Sequence, residues 1–302
     1  MGRRMEQVGG SDRFRFFDIE WGKFADGTDN IKIHGFTPKN YIQGSNIIFL
    51  ASFDTNDRTL SQFSVLIVLL QSFIESMTIV LPFYPVGTNE RVDEEGKVAT
   101  ANTYSMLLSS LPSIGKPTRI MIYDIHALQN RFYFHNSALA SLHTATVLLF
   151  ERLKKTSISC VAFPDDGAAK RFGKFFSKAG FEVIICGKVR DGDKRIVRVN
   201  EGEPAGKEIV IVDDLVQTGG TLAECAEVLL EKGAAKVSAY VTHAVFPNMA
   251  WKRFSAKYEG DRALFDRIWV TNSIPVTTSS LPTGDVFEVL DLLPLILTDL
   301  QP

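Results

Sequence analysis

The chain has 302 residues, 45% of them hydrophobic and 23% charged, so it is long enough to bury a sizeable core and favours two domains over one. Its formal net charge is −2 and its Lys and Arg are dispersed. That excludes a broad nucleic-acid surface, which needs those cations clustered against phosphates.

Residues 1–13 carry no long apolar run and read as a flexible arm rather than a secretory signal. Glu6 stands where a myristoylation signal has Ser or Thr. Apolar β-type runs then alternate with helical patterns. Strands are predicted at 46–53, 78–83, 119–123, 157–163, 181–186, 208–212, 236–242 and 267–270, and helices at 60–75, 98–111, 138–153, 168–179 and 222–232. This alternation implies an α/β architecture with largely parallel sheets. The domain boundary is placed where the helix at 138–153 gives way to a new strand, dividing the chain into 14–154 and 155–302. The run at 64–83 is the most apolar, but Gln71, Ser72, Glu75 and Ser76 interrupt it, so no membrane span is expected. Cys160 and Cys186 sit in apolar runs, and with Cys225 they show no paired spacing. Core packing in a reducing compartment, the cytoplasm, is the expectation.

Two stretches share a layout. "NIIFLASFDTNDRTLSQFSVLIVLL" (46–70) and "EIVIVDDLVQTGGTLAECAEVLL" (208–230) each run from strand through polar loop to helix, which hints at an internal duplication. Only the second holds an acidic pair and a Gly-Gly. There, Gly219 and Gly220 let the backbone approach an anion, the N–H groups of the helix start point at it, and Thr218 and Thr221 add hydroxyl donors. Asp213 and Asp214 would repel a bare anion. They make sense facing the hydroxyls of a phosphorylated sugar, or helping to hold a hydrated Mg²⁺. The plainer alternative is a strand exit and a helix cap with no ligand.

"VIVDDLVQTGGT" resembles the phosphoribosyl-binding signature shared by type I phosphoribosyltransferases and ribose-phosphate pyrophosphokinases (PRPP synthetases). The resemblance assigns ribose 5-phosphate to Asp213, Asp214, Gln217, Thr218, Gly219, Gly220 and Thr221, with Gln217 replacing a common family aspartate. "YDIHALQNRFYF" (123–134) resembles the synthetase Asp-x-His element and implies that Asp124 and His126 meet Mg²⁺ and the ATP phosphates. "FPDDGAAKRFGKFF" (163–176) resembles the Pro-Asp-x-Gly-x-x-Lys-Arg segment and makes Asp165 a metal ligand; taken alone it is an acidic turn capping a basic helix. "GKVRDGDKRIVRV" (187–199) aligns with the family's flexible catalytic loop, so that Lys188 and Arg190 would close over the transferring group. By charge alone that run is a solvated hairpin.

"WGKFADGTDNIKI" (21–33) resembles the Phe-x-Asp-Gly-Glu element: Phe24 would stack on adenine and Asp26 accept from its amino group, across a subunit interface, with Thr28 in place of the glutamate. "LPFYPVGTNERVDEEGKVATA" (81–101) lies where the family has an Arg-Gln-Asp nucleotide loop; Thr88 and Asn89 hold the Arg-Gln positions and Arg91 is the candidate cation. Together these motifs resemble a divergent synthetase subgroup known in plants, in which the need for free phosphate and the strict choice of ATP are relaxed. Spanning residues 14–290, the resemblance implies two phosphoribosyltransferase-like domains, the first on the ATP side and the second on the ribose 5-phosphate side. It also implies Mg²⁺ as cofactor, His126, Lys188 and Arg190 as catalytic residues, and a homo-oligomer with shared active sites. A catalytically silent synthetase-like subunit and a phosphoribosyltransferase are the alternatives; the second has no need of Asp124-x-His126 or Phe24.

Overall fold

The computed structural model describes residues 1–135, 137–191, 194–255 and 263–300, and the side chains of 188–196 fall outside that description. The chain forms two compact units: residues 1–144 with the C-terminal segment from Leu293, and Ala145–Leu292.

In the first unit, helix α1 (Gly2–Gly9) precedes an antiparallel hairpin of β1 (Ile19–Lys23) and β2 (Asp29–Ile33). A parallel sheet follows in the order β3 (Asn46–Leu50), β4 (Ser76–Leu81), β5 (Thr118–Tyr123), β6 (Ala138–His143). Helix α2 (Asn56–Leu70) links β3 to β4, and α3 (Thr100–Ser109) links β4 to β5. α2 begins at Asn56 because Thr55 accepts the Arg58 N–H at 3.3 Å and Asp57 sits in the first turn, where the helix dipole favours an anion. Its Phe63, Leu66, Leu69 and Leu70 form one core with Phe49, Ile79, Leu81, Ile120 and Ile122. Each such side chain, once buried, contributes about 1.5–3 kcal/mol.

The second unit runs through α4 (Thr146–Leu153), β7 (Cys160–Phe163), α5 (Asp166–Lys178), β8 (Glu182–Asp191), β9 (Lys194–Glu201), β10 (Glu208–Val216), α6 (Gly220–Glu231), β11 (Lys236–Ala244), β12 (Ile268–Thr271) and β13 (Phe287–Leu290). Its sheet has the order β13-β12-β11-β10-β7-β8-β9, parallel except for the β8–β9 hairpin. Period-two alternation sorts the strands onto two cores. Cys160, Ala162, Ile209 and Ile211 pack with Leu222, Ala226 and Leu229 of α6, whereas Val161, Phe163, Val210 and Val212 pack with Leu149 of α4 and Phe172 and Phe176 of α5. From β3 and from β10 onward the units run alike, strand, loop and helix and then further parallel strands, but the second unit also has β7 and α5 ahead of its hairpin, and that hairpin joins the main sheet.

Three expectations change. The predicted helix at 138–153 is split into β6 and α4. Its Ala and Leu are good helix formers, but the outer edge of β5 needs backbone partners, and Thr118–Tyr123 takes Ala138–His143 in register. The N-terminal arm carries α1, which buries Met5. The compact units divide between Thr144 and Ala145, so α4 falls in the second, and the helix Leu293–Asp299 joins the first. Cys160, Cys186 and Cys225 are all buried and unbridged. Among the described residues no helix is long and apolar enough to cross a membrane.

Candidate active site

β10 does not stop at the acidic pair but runs on to Val216, which pairs with Ala244 of β11. Gln217 and Thr218 follow as exposed loop residues. Gly219 then turns the chain at φ 81° before α6 opens at Gly220, with Thr221 half-buried in its first turn. Only glycine fits that turn, because the backbone is left-handed and a Cβ would lie 2.5 Å from the Phe254 ring. The unsatisfied N–H groups of the α6 first turn make the loop an anion seat. Arg253, which the sequence reading did not single out, donates from its guanidinium to the Thr218 carbonyl at 3.3 Å. Thirty-five positions separate the two residues, and no motif joins them.

Just upstream, Asp214 is buried and Asp213 half-buried. Asp213 Oδ1 accepts the Asp214 N–H at 2.9 Å, and Asp214 Oδ1 accepts the Leu215 N–H at 2.9 Å. Burial, then the charge and hydrogen bonding of Asp214, hold the Asp213 carboxyl well above the usual carboxylate range, and the charge of Asp165 adds to it. Asp165 therefore belongs to the same electrostatic group. It follows β7 and caps α5 by accepting the Ala168 N–H at 2.9 Å. Three carboxylates thus gather beyond the apolar cores of β7 and β10, at the strand ends where open α/β sheets bind ligands. Such a gathering favours a cation. Among the described residues no three His, Cys, Asp or Glu side chains converge as a ready cage. The oxygen donors suit Mg²⁺, which keeps several waters and takes one or two carboxylates beside substrate phosphates.

In the first unit, Asp124 follows β5 fully buried, at the positive φ of 37°, with its N–H donating to the His143 carbonyl at 2.9 Å. A left-handed non-glycine residue costs about 1–3 kcal/mol, strain that tends to collect at functional sites. Two residues on, His126 is exposed. The loop after β4 comes to the same place. A side chain on Gly87 would lie 3.8 Å from the His126 Cβ, and Asn130 holds the Gly87 carbonyl at 3.1 Å. The structure thus gathers Asp124, His126 and the Thr88–Asn89–Arg91 loop at the ends of β4 and β5. Thr88 is half-buried, and Asn89 and Arg91 are exposed. Arg91 Nε sits 3.1 Å from Oε1 of Glu90, a buried anchor the sequence reading passed over; Tyr133 donates to the Glu90 carbonyl at 2.8 Å.

Phe24, Asp26 and Thr28 form the tip of the β1–β2 hairpin. Phe24 is 56% exposed and donates its N–H to the Thr28 carbonyl at 2.8 Å. Thr28 gives Asp26 Oδ1 both its hydroxyl, at 2.6 Å, and its N–H, at 2.9 Å, which holds that carboxyl below the usual range. The hairpin is tied to α2 by Lys23, 2.9 Å from Asp57. Lys188 and Arg190 stand on β8 opposite Val197 and Arg195 of β9, the hairpin that the charge pattern alone suggested; their side chains lie outside the described residues.

Comparisons with known proteins agree with this fold. Residues 154–274 match the family model of the phosphoribosyl transferase domain. The chain is 48% identical over 286 residues to ribose-phosphate pyrophosphokinase 4 of Arabidopsis thaliana, covering 93% of this chain and 83% of that protein. It is 46% identical to the chloroplastic ribose-phosphate pyrophosphokinase 3 of Oryza sativa subsp. japonica, over 94% of this chain and 70% of that protein. The crystal structure of phosphoribosylpyrophosphate synthetase from Mycobacterium smegmatis shares the fold, with a TM-score of 0.77 over 97% of this chain and 92% of that chain at 22% identity.

Proposed function

The chain belongs to the ribose-phosphate pyrophosphokinase family, and from that premise we propose that it transfers the β,γ-diphosphoryl group of ATP to the anomeric hydroxyl of ribose 5-phosphate, giving PRPP and AMP for nucleotide biosynthesis. The observation that carries the reading is the glycine turn at Gly219, φ 81°, opening α6 just beyond the acidic pair.

In this reading the 5-phosphate seats on the N–H groups around Gly219 and Gly220 and on the Thr218 and Thr221 hydroxyls. Gln217, Asp213 and Asp214 take the ribose hydroxyls. The first unit holds the nucleotide: Phe24 stacks on the base, Asp26 and Thr28 meet its edge, and Asn89, Arg91 and His126 face its phosphates. The second unit holds the sugar. Asp124 and His126 in the first unit, or Asp165 in the second, would hold Mg²⁺, which would supply charge neutralisation on phosphate oxygens. Because phosphoryl-type transfer rewards alignment and charge compensation, no strong general base is required. Lys188 and Arg190 stabilise the charge that develops on the transferring group.

Thr28, Thr88 and Asn89, in place of a glutamate and an Arg-Gln pair, fit a relaxed choice of nucleotide and no need for activating phosphate. The exposure of Phe24 at a hairpin tip supports the reading in which it completes a neighbouring subunit's site in a homo-oligomer. The silent-subunit reading draws support from one contact, the engagement of Asp26 by Thr28 within its own hairpin. The compartment proposed is the cytoplasm, which a fluorescent fusion tests against the chloroplast of the rice relative.

AMP release from Mg-ATP, with and without ribose 5-phosphate in phosphate-free buffer, tests the proposal. Sugar-dependent AMP with PRPP as co-product is expected. Turnover only after phosphate is added would overturn phosphate independence alone. Silence in both, from a folded protein that binds ribose 5-phosphate, would favour the regulatory subunit.

A further inference from the structure

Two strands of the first unit end beside the left-handed Asp124, and both ends meet one carboxylate. Tyr123, the last residue of β5, pairs in register with His143, the last of β6, their rings 5.4 Å apart. The hydroxyl of the fully buried Tyr123 donates to Asp299 Oδ2 at 2.8 Å, and His143 Nδ1 lies 3.1 Å from the same oxygen. Asp124 follows Tyr123 directly, and its N–H is held by the His143 carbonyl. Asp299 therefore grips both the residue before Asp124 and the residue across from it.

Donor chemistry sets the direction of each contact. An ionised carboxylate only accepts, so His143 Nδ1 carries a proton. With the Arg119 guanidinium 3.5 Å from Nε2, that nitrogen is left as the acceptor for the Ser141 hydroxyl at 2.8 Å. Arg119 also donates to the Asp299 carbonyl at 3.1 Å. That carbonyl closes the helix Leu293–Asp299, where the axial dipole favours a cation.

Leu293, Ile296 and Leu297 are buried, so this helix is docked by its apolar residues without its terminal carboxylate. A left-handed aspartate persists only where its surroundings over-determine it. We propose that Asp299 is a positioning residue for the nucleotide end of the site. By clamping the Tyr123–His143 pair it holds Asp124 in the conformation from which it would meet Mg²⁺ and the ATP phosphates, a role that rests on Asp124 being the ligand proposed above.

Isothermal titration of the full chain with Mg²⁺ and α,β-methylene-ATP, whose carbon bridge cannot be cleaved, reads this role without turnover. Removing a group that supports a metal ligand costs about 10–100-fold in affinity, so Asp299→Ala should raise the Kd of the Mg²⁺-nucleotide about tenfold or more. Asp299→Asn keeps an acceptor for Tyr123 and His143 and should restore that Kd to within about threefold. The Kd for ribose 5-phosphate should stay within about twofold in both. Tyr123→Phe deletes one hydroxyl, should weaken the nucleotide about threefold or more, and gives a second readout should Asp299→Ala not fold. Leu297→Ala loosens the same helix from its apolar side; it should lower the melting temperature and leave the nucleotide Kd unchanged. An unchanged nucleotide Kd in Asp299→Ala or, if that variant does not fold, in Tyr123→Phe overturns the positioning role, and so does an equal loss in Leu297→Ala. A wild-type chain that binds no Mg²⁺-nucleotide overturns instead the nucleotide reading of the first unit, and the positioning role with it.

Discussion

The ring of Phe254 fills the space that a side chain on Gly219 would need: a Cβ there would lie 2.5 Å from two of its atoms. The Gly219 turn is therefore fixed twice, by its left-handed backbone and by the ring packed against it. Gly219→Ala should add about 1–2 kcal/mol of backbone strain and displace either the loop or the ring. The expected result is a KM for ribose 5-phosphate raised about tenfold or more, with a lower melting temperature. Steady-state kinetics and calorimetry check this, and an unaltered KM would move the 5-phosphate elsewhere.

Arg253 reaches the same loop from the far side of the sequence. It is exposed and donates to the Thr218 carbonyl, so its contribution is that of a solvated cation beside a dianion, about 1 kcal/mol. Arg253→Ala should raise the KM for ribose 5-phosphate about threefold to tenfold, with turnover within about twofold, and the effect should shrink in high salt. A loss confined to turnover would place Arg253 at the transferring group instead.

For Lys188 and Arg190 the expectation is the reverse. Cations that act on developing charge lower the barrier more than they tighten the ground state. Lys188→Ala and Arg190→Ala should each reduce turnover about a hundredfold or more, while the Kd for ribose 5-phosphate, from isothermal titration, stays within about threefold. Unchanged turnover would make the β8–β9 hairpin structural.

Strands were legible where burial on both faces writes a continuous apolar run, as in Ile120–Tyr123 of β5 and Cys160–Phe163 of β7, whose residues there are all buried. The Gly219 turn was legible because glycine is demanded by the backbone itself. β6 was not: its residues favour a helix, and only pairing with β5 makes them a strand. The β1–β2 hairpin is half-solvated and alternates charge, so it carries no apolar run, although Asp26-Gly27 is a hairpin signal. Arg253 and Glu90 were hidden for another reason. Their roles come from contacts made in three dimensions, Arg253 to Thr218 and Glu90 to Tyr133, that leave no spacing in the chain.

Asp213 carries the pH argument. Burial and the charges of Asp214 and Asp165 raise its carboxyl, and only the Asp214 N–H opposes them. A raised folded-state pKa means that, from the unfolded value near 3.9 up to the folded value, the native state holds a proton the unfolded chain has released. Stability from this group is therefore greatest at the acid end and falls as pH rises through that window, after which the penalty is complete. Asp213→Asn keeps the Oδ1 acceptor and removes the charge. Its melting temperature should exceed that of the wild type by about 2–4 °C per kcal/mol relieved, with the gap widest at alkaline pH and closing toward about pH 4. Added Mg²⁺ should raise the melting temperature of the wild type more than that of the variant, because the cation relieves the same repulsion. Turnover should nevertheless fall about tenfold or more, since an amide is a weaker acceptor for a ribose hydroxyl. Calorimetry from about pH 5 to 9, with and without Mg²⁺, decides it: a variant less stable than the wild type at every pH would make the acid pair a structural element of β10 rather than a strained part of the sugar site.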